Sequence, residues 1–477
     1  MQNDKLINFL KLKMPNVFED DELNLELFSK QIDTLNNSTD FGLVWPGKKI
    51  AFEAAQQLKT NNKTLDFVSL HGHESTKNMF IAGDNEAALN ALQTEYTEAI
   101  KMIYIDPPYN TGNDHFLYPD NFKEDKKAYA ERTNQAETVT NDTGHQHAAW
   151  LSMMTTRLIL AKNLLKNDGV IFLSIDDAEL FNLKLLCDEI FGADNFVANM
   201  VRHCKVGSGH DSNLLAIEYD YILVYAKQKS LLKFNKEKLD TNKTGQYKLS
   251  DEHLETRGKY YLRDLDYKGT YSESMDYGIA MPDDTNLFSG GRHGEPNTWR
   301  WSEKKFHWGV ENDYIVIKKG KNGWKVYLKQ YQFANNEGLP MERTLPYRAS
   351  VQFLNSKGSQ EIKELFGEAV FSFPKSTELL KYLIKSCCGE ADMILDFFAG
   401  SSSTAQAVMA LNMEENLNHS YICVQLPEPC PEGKAAFKQG YNTIADLSKA
   451  RIEKAIEKLK AEHGEDKRLS FRAFEVI

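Results

Sequence analysis

Apolar and polar positions alternate in a regular way from residue 77 to about 200, and again from residue 368 onward. Short apolar runs end in polar turns, and each is followed by a stretch in which apolar residues recur at helical spacing. Alternating strands and helices predict an α/β fold with a doubly wound, Rossmann-like parallel sheet. The predicted strands are Met79–Ala82, Ala99–Ile105, Gly169–Ile175, Met393–Phe397 and Tyr421–Leu426, and the predicted helices are Glu86–Leu92, Trp150–Lys166, Thr404–Leu411 and Thr443–Ala461.

The alternation stops between about 200 and 365, where Lys, Tyr, Trp, Gly and Asn are frequent and periodicity is weak. In Trp301–Gln330, seven lysines stand against three acidic residues, a local charge of +4. The sheet is therefore predicted to be interrupted by an inserted module. The predicted organisation is a helical N-terminal extension 1–75, a first α/β part 76–200, the insert 201–365, a second α/β part 366–462 and a tail 463–477.

Composition narrows the function classes. The 477 residues carry 57 basic and 68 acidic side chains, a net charge of −11, which argues against a general DNA coat but permits a local basic groove. Six cysteines without a CxxC pair indicate neither a disulfide framework nor a zinc site. The N-terminus lacks a signal-peptide pattern, and no apolar stretch is long enough to span a membrane. We therefore expect a cytoplasmic protein.

The sharpest motif is Asp106-Pro107-Pro108-Tyr109, which follows a strand at the sheet edge where open α/β folds bind ligands. Two prolines fix φ twice and remove two backbone donors, so the arc offers only acceptors, the Asp106 carboxylate and the Pro107 carbonyl. Acceptors suit an exocyclic amine, because gripping its hydrogens frees a lone pair that is otherwise conjugated into the ring. Tyr109 is placed to stack on the base. The alternative is a Pro-Pro turn with a capping Asp.

A second motif, Asp392–Thr404, runs from a buried strand through a turn of small residues into a helix. This is the shape of a nucleotide or nucleoside pocket, in which Gly400 permits close backbone approach and Asp396 is able to accept from a hydroxyl or an ammonium. The alternative is a structural strand–turn–helix with a serine-rich cap. Together the two motifs provide what methyl transfer requires, one site for an amine and one for a methyl donor.

These motifs, in this order around an insert, resemble β-class adenine-specific DNA methyltransferases, and closely the modification subunits of type III restriction–modification systems. In that class the catalytic motif precedes the target-recognition insert and the cofactor motif follows it. The resemblance covers nearly the whole chain. Its further landmarks are Phe41–Lys48, Gly83–Asn85, Trp150–Met154, Asp168–Phe172, Tyr221–Lys227, Lys268–Ser274, Arg300–Trp301, Phe373–Lys375 and Val424–Glu428.

The resemblance implies methyl transfer from S-adenosylmethionine to adenine N6 in double-stranded DNA, with the base flipped out and the insert reading the sequence. It also implies a homodimer and a restriction subunit, carrying helicase and nuclease, as a possible partner. Lys375 is expected near the methionine end of the cofactor, and Asp84 and Gln425 near its adenosine. The implied catalytic residues are Asp106, Pro107, Pro108 and Tyr109, and the implied cofactor residues are Asp84, Lys375, Asp396, Phe398, Gly400, Ser402 and Gln425.

The chain departs from the family pattern at Ser402, where glycine is usual. If this position has positive φ or touches the cofactor, serine costs on the order of 1 kcal/mol or more. The sequence also stops after Phe471–Ile477, where relatives usually continue, as expected for a short form, a fragment or a frameshifted product.

Three functions from different classes stay open at this point. The first is the adenine methyltransferase, either in a restriction system or as a stand-alone orphan enzyme. The second is a catalytically impaired or truncated DNA-recognition subunit, and the third is methyl transfer to RNA adenine or to another conjugated nitrogen.

Two further clusters of polar residues give only weak signals of function. His145-Gln146-His147 has metal-like spacing without suitable partners, so we expect a solvated loop ahead of the helix at Trp150. Arg202, His203 and Lys205 are expected to form a flexible basic segment, equally suited to DNA backbone contact or to plain solvation.

Overall fold

The computed structural model describes residues 18–19, 22–25, 27, 42–57, 64–111, 143–207, 215–240, 245–291 and 297–477. The strands of this part are β1 Phe18–Glu19, β2 Glu22–Leu23, β3 Leu65–His71, β4 Met79–Ala82, β5 Ile100–Ile105, β6 Leu165–Ile175, β7 Phe196–His203, β8 Tyr219–Ala226, β9 Lys236–Lys238, β10 Tyr260–Asp264, β11 Asp266–Tyr267, β12 Ile279–Ala280, β13 Asn286–Leu287, β14 Thr298–Trp299, β15 Ile315–Gly320, β16 Gly323–Tyr331, β17 Thr344–Pro346, β18 Ser350–Gln352, β19 Met393–Asp396, β20 Ser420–Gln425 and β21 Phe471–Val476. The helices are α1 Lys48–Gln57, α2 Asn85–Tyr96, α3 Thr143–Leu164, α4 Leu180–Phe191, α5 Leu254–Arg257, α6 Glu303–Glu311, α7 Asn355–Phe366, α8 Thr377–Cys387, α9 Ser403–Glu415, α10 Ala435–Lys438 and α11 Ile444–His463.

The main sheet has ten strands among the described residues, in the order β18-β7-β8-β6-β5-β19-β20-β4-β21-β3. Strand β8 is antiparallel to both of its neighbours, and β3 is antiparallel to β21. The other strands run in one direction. The predicted doubly wound α/β fold is therefore confirmed.

Helices cover both faces of this sheet because its central strands are apolar on both sides. On β5, Ile103 and Ile105 join one buried cluster, whereas Met102 and Tyr104 join another. The first cluster contains side chains of α2, α3 and α4, and the second contains side chains of α8, α9 and α11. A strand buried on both faces reads as a continuous apolar run, which is how Ala99–Ile105 appears in the sequence.

The chain divides into two compact units, and the smaller comprises Phe234–Tyr347. This unit is narrower than the 201–365 expected from sequence texture, because β8 and β18 pair within the main sheet. Its own core contains Trp299, Trp301, Phe306, Tyr314 and Tyr331. The aromatic content that marked the insert in the sequence thus builds a hydrophobic core as well as surface.

Both chain ends depart from the sequence expectation. Leu65–His71, expected within a helical extension, is the edge strand β3. Phe471–Val476, expected in a tail, is β21, which lies between β4 and β3. In β21 the buried Phe471 and Ala473 alternate with the exposed Arg472, a period-2 pattern too short to separate from a solvated end by sequence. In the described residues, no helix has the length and apolar character needed to cross a bilayer.

Arg202 corrects another expectation, since it belongs to neither a DNA-contacting nor a solvated segment. It lies on β7, buried, where its guanidinium forms an ion pair with Asp220 of β8. It also donates to the Phe353 carbonyl at 3.1 Å and to Asn355 Oδ1 at 2.9 Å. A buried arginine with this many acceptors cross-links strands and is not available to phosphate.

We expect Phe471→Ala to lower the free energy of unfolding by about 3–5 kcal/mol, because the fully buried ring would leave a cavity beside the sheet. Urea denaturation followed by circular dichroism measures this change. Phe181→Ala is the control, since that ring is 74% exposed, and it should change stability by less than about 0.5 kcal/mol. Equal effects of the two substitutions would contradict the place of β21 in the core.

Candidate active site

The two motifs predicted from the sequence lie at the same edge of the sheet. Strands β5 and β19 are parallel neighbours, with Met102 opposite Ile394 and Ile103 opposite Leu395. Asp106 follows the end of β5, and β19 ends at Asp396, so both carboxylates lie at the carboxyl edge. Their proximity is also electrostatic, because the charge of Asp106 contributes to raising the pKa of Asp396.

The Pro-Pro arc is held from outside by helix α3. Trp150 Nε1 donates to the Pro108 carbonyl at 2.7 Å, and the indole itself is fully buried. Among the described residues, no hydrogen bond is made to the Pro107 carbonyl. In the arc, the Pro108 carbonyl is therefore occupied by Trp150, and the role of the Pro107 carbonyl as an acceptor for an amine stays a prediction.

Lys375 closes the arc in this structure. Its Nζ lies 2.7 Å from both carboxylate oxygens of Asp106 and 2.9 Å from the Tyr109 hydroxyl. The Tyr109 hydroxyl donates in turn to Asp106 Oδ1 at 2.9 Å, and the ammonium lies 5.1 Å from the Tyr109 ring centroid. Burial, followed by the charge of Asp106, raises the pKa of Tyr109 well above its usual value, so its hydroxyl stays protonated. An ammonium thus occupies the acceptors expected to bind an amine.

The second motif forms a tight turn around Asp396. Its Oδ1 accepts from the Phe398 backbone N–H at 3.1 Å, and its Oδ2 accepts from the Thr404 hydroxyl at 2.5 Å. Burial of the carboxyl raises its pKa to about 7, although both hydrogen bonds act in the opposite direction. Asp396 is therefore close to half protonated near neutral pH, which makes its charge responsive to any ligand that enters the turn.

Gly400 and Gln425 join the turn to the next strand of the sheet. Gln425 Oε1 accepts from the Gly400 N–H at 2.7 Å, and the Gln425 carbonyl accepts from the Gly83 N–H at 3.0 Å. Gly400 has φ +53°, and a Cβ there would lie 3.3 Å from the ring of Phe371. Phe398, by contrast, is buried, with its ring centroid 5.3 Å from that of Phe397. Gly400 and Gln425 are thus held together, as expected for one pocket.

Asp84 belongs to the same edge and is fixed by a residue that sequence reasoning missed. Asp84 caps helix α2, accepting from the Ala87 N–H at 3.0 Å. The fully buried Arg157 donates to Asp84 Oδ2 at 3.2 Å and to Asn85 Oδ1 at 2.5 Å. Asn85 Nδ2 then donates to the Phe397 carbonyl at 2.9 Å. Arg157 lies within the predicted helix Trp150–Lys166, and burial of an arginine is not visible in a periodic pattern.

Ser402 stands in the left-handed region, with φ 61° and ψ 38°, so the condition for backbone strain is met. Its buried Oγ shares a hydrogen bond of 2.5 Å with Ser448 Oγ on α11. The turn is further supported by Arg451, also missed from the sequence, whose Nη1 donates to Ser401 Oγ at 2.7 Å and Ser403 Oγ at 2.6 Å. The serine hydroxyls of this turn therefore bond to side chains of helix α11 and hold the turn in place.

The expectation of a solvated loop at 145–147 is wrong for His147. The residue lies in α3, and its Nδ1 is 2.5 Å from Oε1 of the buried Glu179. The same oxygen accepts from Asn110 Nδ2 at 2.6 Å. Helical periodicity pointed to a start at Trp150 because the polar first turn carries no apolar signal.

The comparisons with known proteins agree with this arrangement. Residues 100–430 match the family described as DNA methylase. The StyLTI Mod subunit, a type III restriction–modification enzyme of Salmonella typhimurium, is 36% identical over 82% of this chain and 59% of its own length. The EcoPI Mod subunit of Escherichia phage P1 is 32% identical over 100% of this chain and 78% of its own length.

The chain belongs to the DNA methylase family. The type II methyltransferase M.KpnI of Klebsiella pneumoniae is also similar, 31% identical over 80% of this chain and 88% of that enzyme. The resemblance to type III Mod subunits is thereby confirmed. The chain spans only about three fifths of the StyLTI relative.

We expect Asp396→Asn to change the pH dependence of stability. A carboxyl whose folded-state pKa is raised to about 7 stabilises the fold below its unfolded pKa of about 3.8, and that stability is lost as pH rises through 7. The variant should therefore gain on the order of 3–4 kcal/mol relative to the parent between pH 4 and pH 8. Urea denaturation at several pH values measures the difference, and a difference that does not vary with pH would contradict the raised pKa.

Proposed function

We propose that this chain transfers a methyl group from S-adenosylmethionine to adenine N6 in double-stranded DNA, flipping the base out of the helix. One observation carries the proposal. The Pro-Pro arc lies at the carboxyl edge of the main sheet, next to strand β19, and the turn after β19 has the shape expected of a nucleoside pocket. Asp106, Pro107, Pro108 and Tyr109 form the arc, and β5 and β19 are adjacent. Two relatives that are 36% and 32% identical to this chain are Mod subunits of type III restriction–modification enzymes.

The turn after β19 fits the proposed cofactor. Gly400 has no side chain to fill the turn, Gln425 and Asp84 lie at the ends of neighbouring strands, and the Asp396 carboxyl would ionise beside a cationic ligand. When bound, S-adenosylmethionine supplies a methyl group on a sulfonium, an electrophile with a neutral leaving group. We infer that Asp84, Asp396, Phe398, Gly400, Ser402 and Gln425 hold it, with Ser402 acting through the backbone of the turn.

The arc would prepare the amine for attack. The Asp106 carboxylate and Pro107 carbonyl accept the two N6 hydrogens, which weakens conjugation of the lone pair with the ring. Tyr109, whose hydroxyl stays protonated, stacks on the base. Attack would form the N6–methyl bond as the sulfur–methyl bond breaks and the neutral sulfide departs, and one N6 proton would pass to the Asp106 carboxylate that accepts it and on to solvent. Orientation of the amine toward the methyl group supplies most of the acceleration.

Lys375 would play two parts in this scheme. Its ammonium donates to both carboxylate oxygens of Asp106, one of the two groups that the N6 hydrogens require, and so holds this carboxylate in place. Base entry must displace the ammonium from at least one of these oxygens. Its side chain is only 10% exposed, so the displaced group stays within the site, in accord with the proposed place near the cofactor.

We expect Asp106→Ala to lower kcat for DNA methylation by at least about 100-fold while DNA affinity changes less than about threefold, because one acceptor of the arc is lost. Tritium transfer from labelled cofactor and fluorescence anisotropy measure the two quantities.

Asp168→Ala is the matched control, since Asp168 also pairs with a lysine, Lys101, at 2.7 Å, near the opposite end of the strands. It should leave kcat within about twofold. Equal turnover by Asp106→Ala and the parent protein would overturn the proposed function.

The unit Phe234–Tyr347 is proposed to contact DNA. In the hairpin of β15 and β16, Lys318 lies directly opposite Lys325, and both are exposed. Like charges in directly opposed positions destabilise a hairpin, so the pair is better explained by a polyanionic partner than by the fold. Lys319 lies 5.0 Å from the Trp324 ring centroid, an arrangement suited to phosphate and base contact.

We expect the double variant Lys318→Gln/Lys325→Gln to weaken DNA binding equally for all sequences. It should also flatten the slope of log affinity against log salt concentration by about 2, since each lysine that contacts phosphate contributes about 0.9. Lys236→Gln/Lys238→Gln removes the same charge from another exposed strand of this unit and should leave the slope unchanged. The prediction fails if both double variants behave alike.

The assembly and cellular setting are proposed by analogy with the relatives. We infer a homodimer, a possible restriction subunit as partner, and action in the cytoplasm, where the buried thiols of the six cysteines stay reduced. Analytical ultracentrifugation with and without a candidate restriction subunit tests the first two, and a monomer that binds no such subunit favours a stand-alone enzyme.

A further inference from the structure

Glu179 is a fully buried carboxylate for which the proposed mechanism has no role. It occupies the cap position of helix α4, yet its side chain makes no hydrogen bond to the helix backbone. Instead its oxygens accept from three side chains: Asn110 Nδ2 at 2.6 Å, His147 Nδ1 at 2.5 Å and Asn182 Nδ2 at 2.8 Å. Burying a carboxylate is costly, so the contacts that it makes indicate why it is there.

Two of these contacts bear on the catalytic arc. Asn110 directly follows Tyr109 and has φ 58°, a left-handed conformation in which asparagine is tolerated. The hydrogen bond from the Asn110 side-chain amide to Glu179 therefore fixes the point at which the chain leaves the arc. His147 lies one helical turn before Trp150 on α3, and Trp150 holds the Pro108 carbonyl.

The chain is thus fastened on both sides of Tyr109 by two connected supports. Trp150 fixes Pro108, and Glu179 fixes Asn110 while also binding the helix that carries Trp150. A displacement of about 1 Å in such a group costs on the order of 100-fold in rate, because the acceptors would no longer meet the amine hydrogens in line.

We propose that Glu179 is a positioning residue for the methyl-transfer reaction, setting the orientation of Tyr109 and the Pro-Pro arc through Asn110. The inference rests on the proposed function and adds to it a residue that touches neither substrate nor cofactor. Glu179 acts on turnover and on capture of the flipped base, and the cofactor turn after β19 is independent of it.

The test compares Glu179→Leu with Glu179→Gln and with a control on the same helix, Asp188→Leu. Asp188 accepts from the Tyr225 hydroxyl at 2.6 Å and from Lys184, so its loss also removes a carboxylate network from α4. We expect Glu179→Leu to lower kcat about 100-fold with cofactor affinity unchanged by calorimetry. Glu179→Gln, which retains an acceptor oxygen for Asn110, should recover to within about tenfold of the parent, and Asp188→Leu should keep kcat.

A double-mutant cycle guards against simple misfolding. Asn110→Gly adopts positive φ without strain but has no amide, so if Glu179 acts through Asn110 the double variant should be no slower than Glu179→Leu alone. Fluorescence of 2-aminopurine at the target position should fall in the same variants, because the flipped base is held less well.

The outcomes separate this inference from the proposed function. An active parent protein whose Glu179→Leu variant keeps its kcat, or loses no more than Asp188→Leu, overturns the inference alone. Additive losses in the cycle also overturn it, since Glu179 would then act by another route. A parent protein that transfers no methyl group to DNA overturns the proposed function and this inference with it.

Discussion

The organisation of the site depends on keeping hydrogen-bond donors away from one short arc. Two prolines remove the backbone donors at Pro107 and Pro108, and the Asp106 carboxylate and the two proline carbonyls can only accept. A buried cluster of acceptors is stable only if hydrogen-bond donors face it. Here the Lys375 ammonium donates to Asp106. The ion pair is therefore part of the fold in the free protein and has to rearrange in the reaction. Stability and function compete for the same oxygens.

Buried cations solve a related problem around the cofactor turn. Asp84 and Asn85 meet Arg157, and the serines on either side of Ser402 meet Arg451, which Glu361 neutralises. Burial lowers the pKa of Arg451 to about 10, so it remains charged at neutral pH. Each guanidinium has several donors in a fixed plane, which lets one side chain orient several loop atoms at once. The loops at the sheet edge are thus held by buried guanidinium groups.

How much of this was predictable from the sequence depended on the range of each interaction. Strands buried on both faces, such as Ile100–Ile105, and the order of the two motifs are local patterns, so the fold and the residues at the sheet edge could be predicted. Contacts such as that between Lys375 and Asp106 join residues 269 positions apart, and nothing in either segment specifies the other. His147 was misjudged for the same reason, since its partner Glu179 lies on a different helix.

Ser402 bears on whether this turn is damaged or merely different. A left-handed serine costs on the order of 1 kcal/mol relative to glycine, but a buried hydroxyl with a partner returns a comparable amount. Ser448 Oγ supplies that partner, and the Ser402 N–H still closes the turn to the Ala399 carbonyl at 2.7 Å. The Ser402 side chain is therefore bound to helix α11. The serine at the position of the family's second glycine therefore adds a stabilising contact to the fold. The presence of Ser402 is thus no argument for a disabled remnant.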